Sequence, residues 1–143
     1  MLHPADKEQS MNGTNRGYIA YARSATSDGV NAGIERQIQA IRQLGEQLGM
    51  TCVDEVRVAG VNGITPVMRE DLQNLLTRKQ EKNDFDVLIM EDFSRLTRAG
   101  LDEGYQIEAE FEKYGVRIVY VAHAQHGDIR RDLRRLLKRI RSS

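Results

Sequence analysis

Residues 85–91, Phe-Asp-Val-Leu-Ile-Met-Glu, decide the class of fold. The run is almost continuously apolar, as expected of a strand that is covered on both faces, and strands of that kind belong to parallel sheets. Stretches at residues 17–23, 51–58 and 116–122 have the β-branched and aromatic composition of further strands. The sequence therefore predicts strands that are spread over nearly the whole chain.

Apolar residues at helical spacing fill the intervals between these strands. From Ile34 to Leu48 they recur in a helical pattern that stops near Gly49. A second helix is predicted to begin with an N-cap threonine and a proline at residues 65–66, and a third to cover residues 101–114. Strands that alternate with helices through short links predict an α/β fold, with a parallel sheet and helices on both faces.

The length and composition predict one folded domain with a polar leader. The chain has 143 residues, of which 40% are hydrophobic and 29% charged, and no stretch reaches the roughly 20 apolar residues of a membrane span. Residues 1–16 are polar and lack the apolar part of a signal peptide, so we expect a disordered leader there. Cys52 is the only cysteine, which fits a reducing cytoplasm, and we expect it to be a small core residue of the second strand.

The net charge is zero, but the charge is unevenly distributed. Residues 127–143 contain seven basic and two acidic residues, a charge of +5, so the rest of the chain carries −5. Apolar residues from Ile129 to Ile140 lie on one face of a predicted helix, and most of its arginines lie opposite. A basic segment on an acidic body favours a polyanionic partner, and the alternative is a solvated helix face.

Arginines follow three of the predicted strands at their carboxyl ends. Arg23 ends the first strand, Arg69 lies in the first turn of the helix after the second, and Arg95 and Arg98 follow the third. Ligands of parallel sheets bind at this edge, and the guanidinium fork matches phosphate oxygens. The pattern predicts a phosphate site. The alternative is ordinary ion pairing with nearby carboxylates, namely Glu70, Asp71, Glu91 and Asp92.

Several other chemistries fit the sequence less well. It contains neither a GxxxxGK[ST] phosphate loop nor a GxGxxG dinucleotide loop after the first strand. A receiver-like signalling domain remains an alternative, although receivers hold a cation with carboxylates at the ends of strands one and three, and strand one here ends in arginine. His123 and His126 are predicted to be loop residues rather than metal ligands, because no cysteine lies near them.

Four motifs together resemble the catalytic domain of serine recombinases, the resolvase/invertase family. They are YIAYARSAT (18–26), IERQ (34–37), MREDL (68–72) and EDFSRLTR (91–98). The resemblance implies a flavodoxin-like domain over residues 17–126, and a dimerisation and DNA-binding helix that starts at residue 127. It also implies a site-specific DNA recombinase of a mobile element or phage-like integrase, with double-stranded DNA as partner and homodimers that pair into tetramers at synapsis.

The resemblance implies a mechanism without metal or cofactor. A serine hydroxyl attacks a phosphodiester, leaving a 5′-phosphoserine link and a free 3′-hydroxyl, and the stored bond energy allows rejoining. By motif, the active-site arginines are Arg23, Arg69, Arg95 and Arg98, with Gln37 and Ser94 as supporting residues. The C-terminal residues that would lie along DNA phosphates are Arg130, Arg131, Arg134, Arg135 and Lys138.

The sequence departs from the family pattern at the nucleophile. The serine is expected two residues after the first arginine, where this chain has Ala25, and a second commonly polar position is Ala59. The chain is then a cleavage-dead relative that binds DNA or assembles, an engineered knock-out, or an enzyme in which Ser24 attacks after a local shift. Adjacent strand residues point to opposite faces, so Ser24 requires a rearranged backbone, and Thr26 is a weaker candidate.

Overall fold

A computed structural model describes residues 17–24, 30–59, 70–97 and 100–124. The strands are β1 (Gly17–Ser24), β2 (Thr51–Ala59), β3 (Val87–Met90) and β4 (Arg117–Tyr120). The helices are α1 (Val30–Gln47), α2 (Glu70–Lys82), α3 (Leu101–Lys113) and the short α4 (Val121–Ala124), and a 3₁₀ turn covers Phe93–Arg95. The predicted leader, the predicted start of α2 at residues 65–66 and the predicted C-terminal helix lie outside the described residues.

The described strands form one parallel sheet in the order β2-β1-β3-β4. This is the flavodoxin-like order with its switch point between β1 and β3, so the predicted α/β fold is confirmed. β1 pairs with β2 along its whole length, whereas its pairing with β3 runs only from Tyr18 to Ala20. The carboxyl end of β1 therefore continues past the last residue that β3 pairs.

Two apolar layers cover the sheet. On one face, α2 and α3 pack on alternate strand residues, and on the other face α1 packs on the residues between them. The first layer includes Ile19, Tyr21, Leu72, Leu75, Leu88, Met90, Ile107 and Phe111. The second includes Tyr18, Ala20, Ala22, Ile34, Ile38, Ile41, Val87 and Ile89. Since both faces are covered, β3 is fully buried, as its apolar run predicts.

A buried ion pair lies at the amino end of β3, opposite the predicted site. Lys79 Nζ donates to Asp86 Oδ1 and to the carbonyl of Phe85, at 2.8 Å each. Both charged side chains are about nine-tenths buried. Because removing one partner of such a pair leaves a buried charge, the pair makes this end of the sheet sensitive to substitution.

Three local predictions from the sequence are wrong. Cys52 is exposed rather than buried, because β2 is the edge strand and none of its residues is fully buried. The predicted fourth strand is too long, since the chain turns into α4 at Val121. His123 consequently lies in a helix and not in a loop.

None of the described helices is both long and apolar enough to cross a membrane.

Candidate phosphate site at the carboxyl edge of the sheet

Arg23 joins the end of β1 to the 3₁₀ turn that follows β3. Its side chain lies on the same face of β1 as Tyr21 and is only 2% exposed. Nε donates to the carbonyl of Arg95 at 2.9 Å, and Nη2 donates to the carbonyl of Ser94. A buried cation is costly unless it is hydrogen-bonded, so these carbonyls stabilise the buried guanidinium and the guanidinium fixes the turn.

Gln37 of α1 pairs with the main chain of Arg23. Its Oε1 accepts from Arg23 N at 3.2 Å, and its Nε2 donates to Arg23 O at 3.2 Å. The side chain is 2% exposed, so both bonds form away from water. At this position, beyond the pairing of β1 with β3, the amide of Gln37 satisfies a main-chain donor and acceptor that a further strand would otherwise pair.

The Arg95 side chain also contacts the main chain of Arg23, from the 3₁₀ turn. Its Nη1 donates to Arg23 O at 3.3 Å, and its Nη2 donates to Glu91 Oε1 at 3.0 Å. Its Nε is buried and has no hydrogen-bond partner among the described residues. The ion pairing that the sequence left open as an alternative is therefore present at Arg95, with Glu91 as the partner.

Glu91 is shared between two arginines from different elements. Besides Arg95, it accepts from Nη1 and Nη2 of Arg36 on α1, the latter at 3.3 Å. Burial by itself would raise the pKa of Glu91, but the hydrogen bonds from Arg36 and Arg95 outweigh it, so the pKa is lowered. Glu91 therefore stays ionised at neutral pH and balances the charge of the arginines around it.

Ser94 and Asp92 shape the turn that Arg23 holds. Asp92 caps the 3₁₀ turn, with Oδ1 accepting from Ser94 N at 2.9 Å and from Ser94 Oγ. The Ser94 side chain is exposed, while its carbonyl is one of the acceptors of Arg23. Ser94 thus contributes to the site through its main chain as well as through the hydroxyl.

Aromatic packing holds the same turn from behind. The ring of Phe93 lies 5.7 Å from that of Tyr105 and 5.9 Å from that of Tyr120, centroid to centroid. It also lies directly over Gly104 of α3, where a Cβ atom would come within 1.9 Å of Phe93 Cζ. Only a glycine leaves room for this ring, so Gly104 helps to set the position of the turn.

Ser24 is the last residue of β1 and lies opposite Ala59 of β2. It is half-buried, and the strand is regular through this residue. Since side chains alternate along a strand, Ser24 lies on the opposite face of β1 from Arg23. Of the other predicted site residues, Arg69, Arg98, Ala25 and Thr26 lie outside the described residues, as do the basic residues from Arg130 to Lys138.

The structure thus brings Arg23, Gln37, Ser94 and Arg95 together. Neither Arg36 nor the buried hydroxyl of Tyr21 was predicted as a site residue. The Tyr21 hydroxyl donates to Asp71 Oδ2 at 2.5 Å and connects β1 to the first turn of α2. Side chains alternate along β1, so Tyr21 lies on the same face as Arg23, and this alternation could have identified Tyr21 from the sequence.

Within the described part of the chain, no group of three or more His, Cys, Asp or Glu residues is arranged to hold a metal ion.

Comparison with known proteins points to one family. A family model described as "Resolvase, N terminal domain" matches residues 18–143. The chain is 28% identical to the C-terminal catalytic domain of ISC1926 TnpA, an IS607-like serine recombinase. That comparison covers 73% of this chain and 68% of the other, with a TM-score of 0.61. No curated protein matches the chain in sequence.

Two further solved structures share the fold. The N-terminal catalytic domain of TP901-1 integrase gives a TM-score of 0.64 at 21% identity, over 89% of this chain and 95% of that one. A resolvase family site-specific recombinase from Streptococcus pneumoniae gives 0.59 at 18% identity, over 90% and 89%. At these identities the likeness concerns the fold alone.

Proposed function

This chain belongs to the resolvase family, as a serine recombinase catalytic domain, and from that premise we propose that it breaks and rejoins DNA strands at the carboxyl edge of its sheet. The observation that carries the proposal is the hydrogen-bonded unit of Arg23 and Arg95. Each side chain donates to the other residue's carbonyl, so two hydrogen bonds join the end of β1 to the turn after β3. Preorganised donors of this kind stabilise charge that develops in a transition state.

In the proposed reaction a serine oxygen bonds to phosphorus while the bond from phosphorus to the 3′-oxygen breaks. The serine hydroxyl loses its proton and the 3′-oxygen gains one, and the reverse reaction rejoins the strand. Arg95 would contact the phosphate oxygens, together with Arg69 and Arg98. Arg23 has a different part, because its buried guanidinium holds the carbonyls of the turn and so fixes the site as a whole.

The nucleophile decides between two forms of this function. In the first, Ser24 attacks after the end of β1 rearranges. In the second, the chain no longer cleaves and acts by binding DNA or assembling with other copies. The second form is favoured by Ala25 at the expected serine position and by Ser24 on the opposite face of β1 from Arg23. Family membership favours both over a receiver-like signalling domain.

One assay separates these forms. The protein is incubated with supercoiled plasmids that carry the DNA flanking its own gene, and protein linked to 5′ ends is measured for wild type, Ser24→Ala, Thr26→Ala and Ala25→Ser. A link in wild type that Ser24→Ala abolishes supports Ser24, whereas a link only in Ala25→Ser indicates a cleavage-dead relative with an intact phosphate site. If every form binds the DNA and none is linked to it, the proposed cleavage site is wrong.

We further propose that the basic C-terminal segment contacts DNA phosphates and that the protein works in the cytoplasm as a homodimer that forms tetramers at synapsis. Each phosphate contact adds about 0.9 to the slope of log affinity against log salt. Glutamine at five basic positions should therefore weaken binding and flatten that slope: Arg130, Arg131, Arg134, Arg135 and Lys138. Arg42→Gln, which removes an exposed arginine paired with Glu55, serves as the control. An unchanged slope in the fivefold variant would exclude this contact.

A further inference from the structure

Glu91 follows β3 directly and its carboxylate connects three parts of the chain. It accepts from Arg36 of α1 and from Arg95 of the 3₁₀ turn, and its own main chain continues β3. The side chain of Glu91 is only 16% exposed, so this carboxylate is largely withdrawn from water. We propose that Glu91 is a positioning residue, which fixes the Arg95 guanidinium so that its remaining N–H groups face the DNA phosphate.

The donors of Arg95 support this arrangement. A guanidinium has five N–H groups, two on each terminal nitrogen. Arg23 O takes one hydrogen of Nη1 and Glu91 takes one of Nη2. Each terminal nitrogen therefore keeps a second N–H, and the protein contacts orient the group that carries them. A group held in this way loses little freedom when it meets a phosphate.

The charge of Glu91 matters as much as its hydrogen bonds. Arg23 and Arg95 lie close together at one edge of the sheet, and like charges at this distance repel. An ionised carboxylate within hydrogen-bonding distance of Arg95 offsets that repulsion before DNA arrives. Arg36 pairs with the same carboxylate from α1, the helix that also carries Gln37. Glu91 thereby connects Arg95 to the helix that supports the end of β1.

The chain contains a matched control. Glu55 on β2 is also shared between two arginines, Arg42 and Arg57, and its side chain is 19% exposed. The pKa of Glu55 is lowered by hydrogen bonds from these arginines, as that of Glu91 is by its own pair. Glu55 lies opposite Ala20, midway along the edge strand β2 and away from the carboxyl ends of the strands. Glu55→Gln therefore repeats the chemistry of Glu91→Gln at a place without a phosphate site.

The inference rests on the proposed function, so its first test uses whichever form cleaves DNA, wild type or Ala25→Ser. With saturating DNA, Glu91→Gln should slow cleavage by about 10- to 100-fold, as expected when a reacting group is misplaced by a fraction of an ångström. The affinity for DNA should change less than about 3-fold, since the loss concerns the transition state. Glu55→Gln should leave both quantities unchanged. Equal cleavage by Glu91→Gln and wild type would overturn the proposal.

A second measurement does not depend on cleavage. In ¹⁵N-labelled protein the Nε–Hε signal of Arg95, assigned by its loss in Arg95→Lys, should move and broaden in Glu91→Gln and stay in place in Glu55→Gln. Addition of a short DNA duplex should shift the Arg95 signal of wild type. An Arg95 signal that Glu91→Gln leaves unchanged overturns the positioning role. If Glu91→Gln perturbs the signal and no form cleaves DNA, the proposed function fails while the role of Glu91 in holding Arg95 stands.

Discussion

Gln37 allows the support of β1 to be tested without touching an arginine. Replacing Gln37 by leucine keeps nearly the same volume and removes both hydrogen bonds to the Arg23 main chain. The Arg23 N–H then loses its acceptor, whereas Arg23 O keeps the donor Nη1 of Arg95 at 3.3 Å. The substitution therefore costs more at the N–H group of Arg23 than at its carbonyl.

The loss of stability follows from that asymmetry. An unsatisfied buried donor costs about 1 to 3 kcal/mol, and a carbonyl that loses one of two donors costs about 0.5 to 1.5 kcal/mol. Gln37→Leu should therefore lower the free energy of unfolding by about 1.5 to 4.5 kcal/mol. That is a large part of the roughly 5 to 15 kcal/mol that stabilises an ordinary domain.

Urea unfolding at neutral pH measures this quantity. Circular dichroism and tyrosine fluorescence should give coincident transitions, and the slope against urea should match that of wild type. Gln39→Leu provides the control, because Gln39 lies on the exposed side of the same helix. Its effect should stay within about 0.5 kcal/mol of wild type.

If Gln37→Leu and Gln39→Leu unfold at the same urea concentration, Gln37 does not stabilise the end of β1. The hydrogen bonds from the Gln37 amide would then contribute no stability, and the mutual hydrogen bonds of Arg23 and Arg95 would hold the end of β1 without support from α1. A changed slope against urea would instead show that the variant alters the unfolded ensemble.

Three further perturbations test other parts of the structure. Gly104→Ala should lower the free energy of unfolding, measured in urea, by about 1 to 3 kcal/mol, because the new methyl group collides with the ring of Phe93. Gly33→Ala is the control: the space at its Cβ is open, so this change should raise the free energy of unfolding by up to about 1 kcal/mol. Glu91→Gln should be less stable than wild type above about pH 4.3. The difference in the free energy of unfolding should vanish as the pH falls through the lowered pKa of Glu91, because the Glu91 carboxylate of folded wild type is then protonated and loses its charge. Asp86→Asn should cost about 3 to 5 kcal/mol, because it removes the carboxylate charge that balances the buried ammonium of Lys79 while the hydrogen bond from Lys79 to the Phe85 carbonyl remains, and it should not change the cleavage rate of the folded protein.

Most of the fold is readable from the sequence because its signals are local. The apolar run of β3 shows burial on both faces, and the helical spacing of α1 ends at Gly49, which has a left-handed φ of 71°. The run that includes β4 could not be divided in advance, since a short apolar stretch fits a strand or a buried helix equally well. Only tertiary packing ends the strand at Tyr120 and begins α4 at the next residue.

The site was predictable as a neighbourhood and not as a set of contacts. Parallel strands bring their carboxyl ends to one edge, which is why Arg23 and Arg95 meet. The sequence does not show that Arg23 donates to main-chain carbonyls, because the acceptors belong to a distant turn. The pairing of Arg36 with Glu91 likewise joins residues 55 positions apart. Contacts of this kind depend on the finished fold rather than on any local pattern.

The two carbonyls that receive the Arg23 guanidinium lie 71 and 72 residues further along the chain. During synthesis at about 5 to 20 residues per second, Arg23 leaves the ribosome roughly 4 to 14 s before its acceptors do. For that interval the Arg23 guanidinium lacks the two carbonyls that accept its hydrogen bonds in the folded domain, and the end of β1 is not yet joined to the turn after β3. The proposed phosphate site can therefore be completed only after the turn that follows β3 has been synthesised.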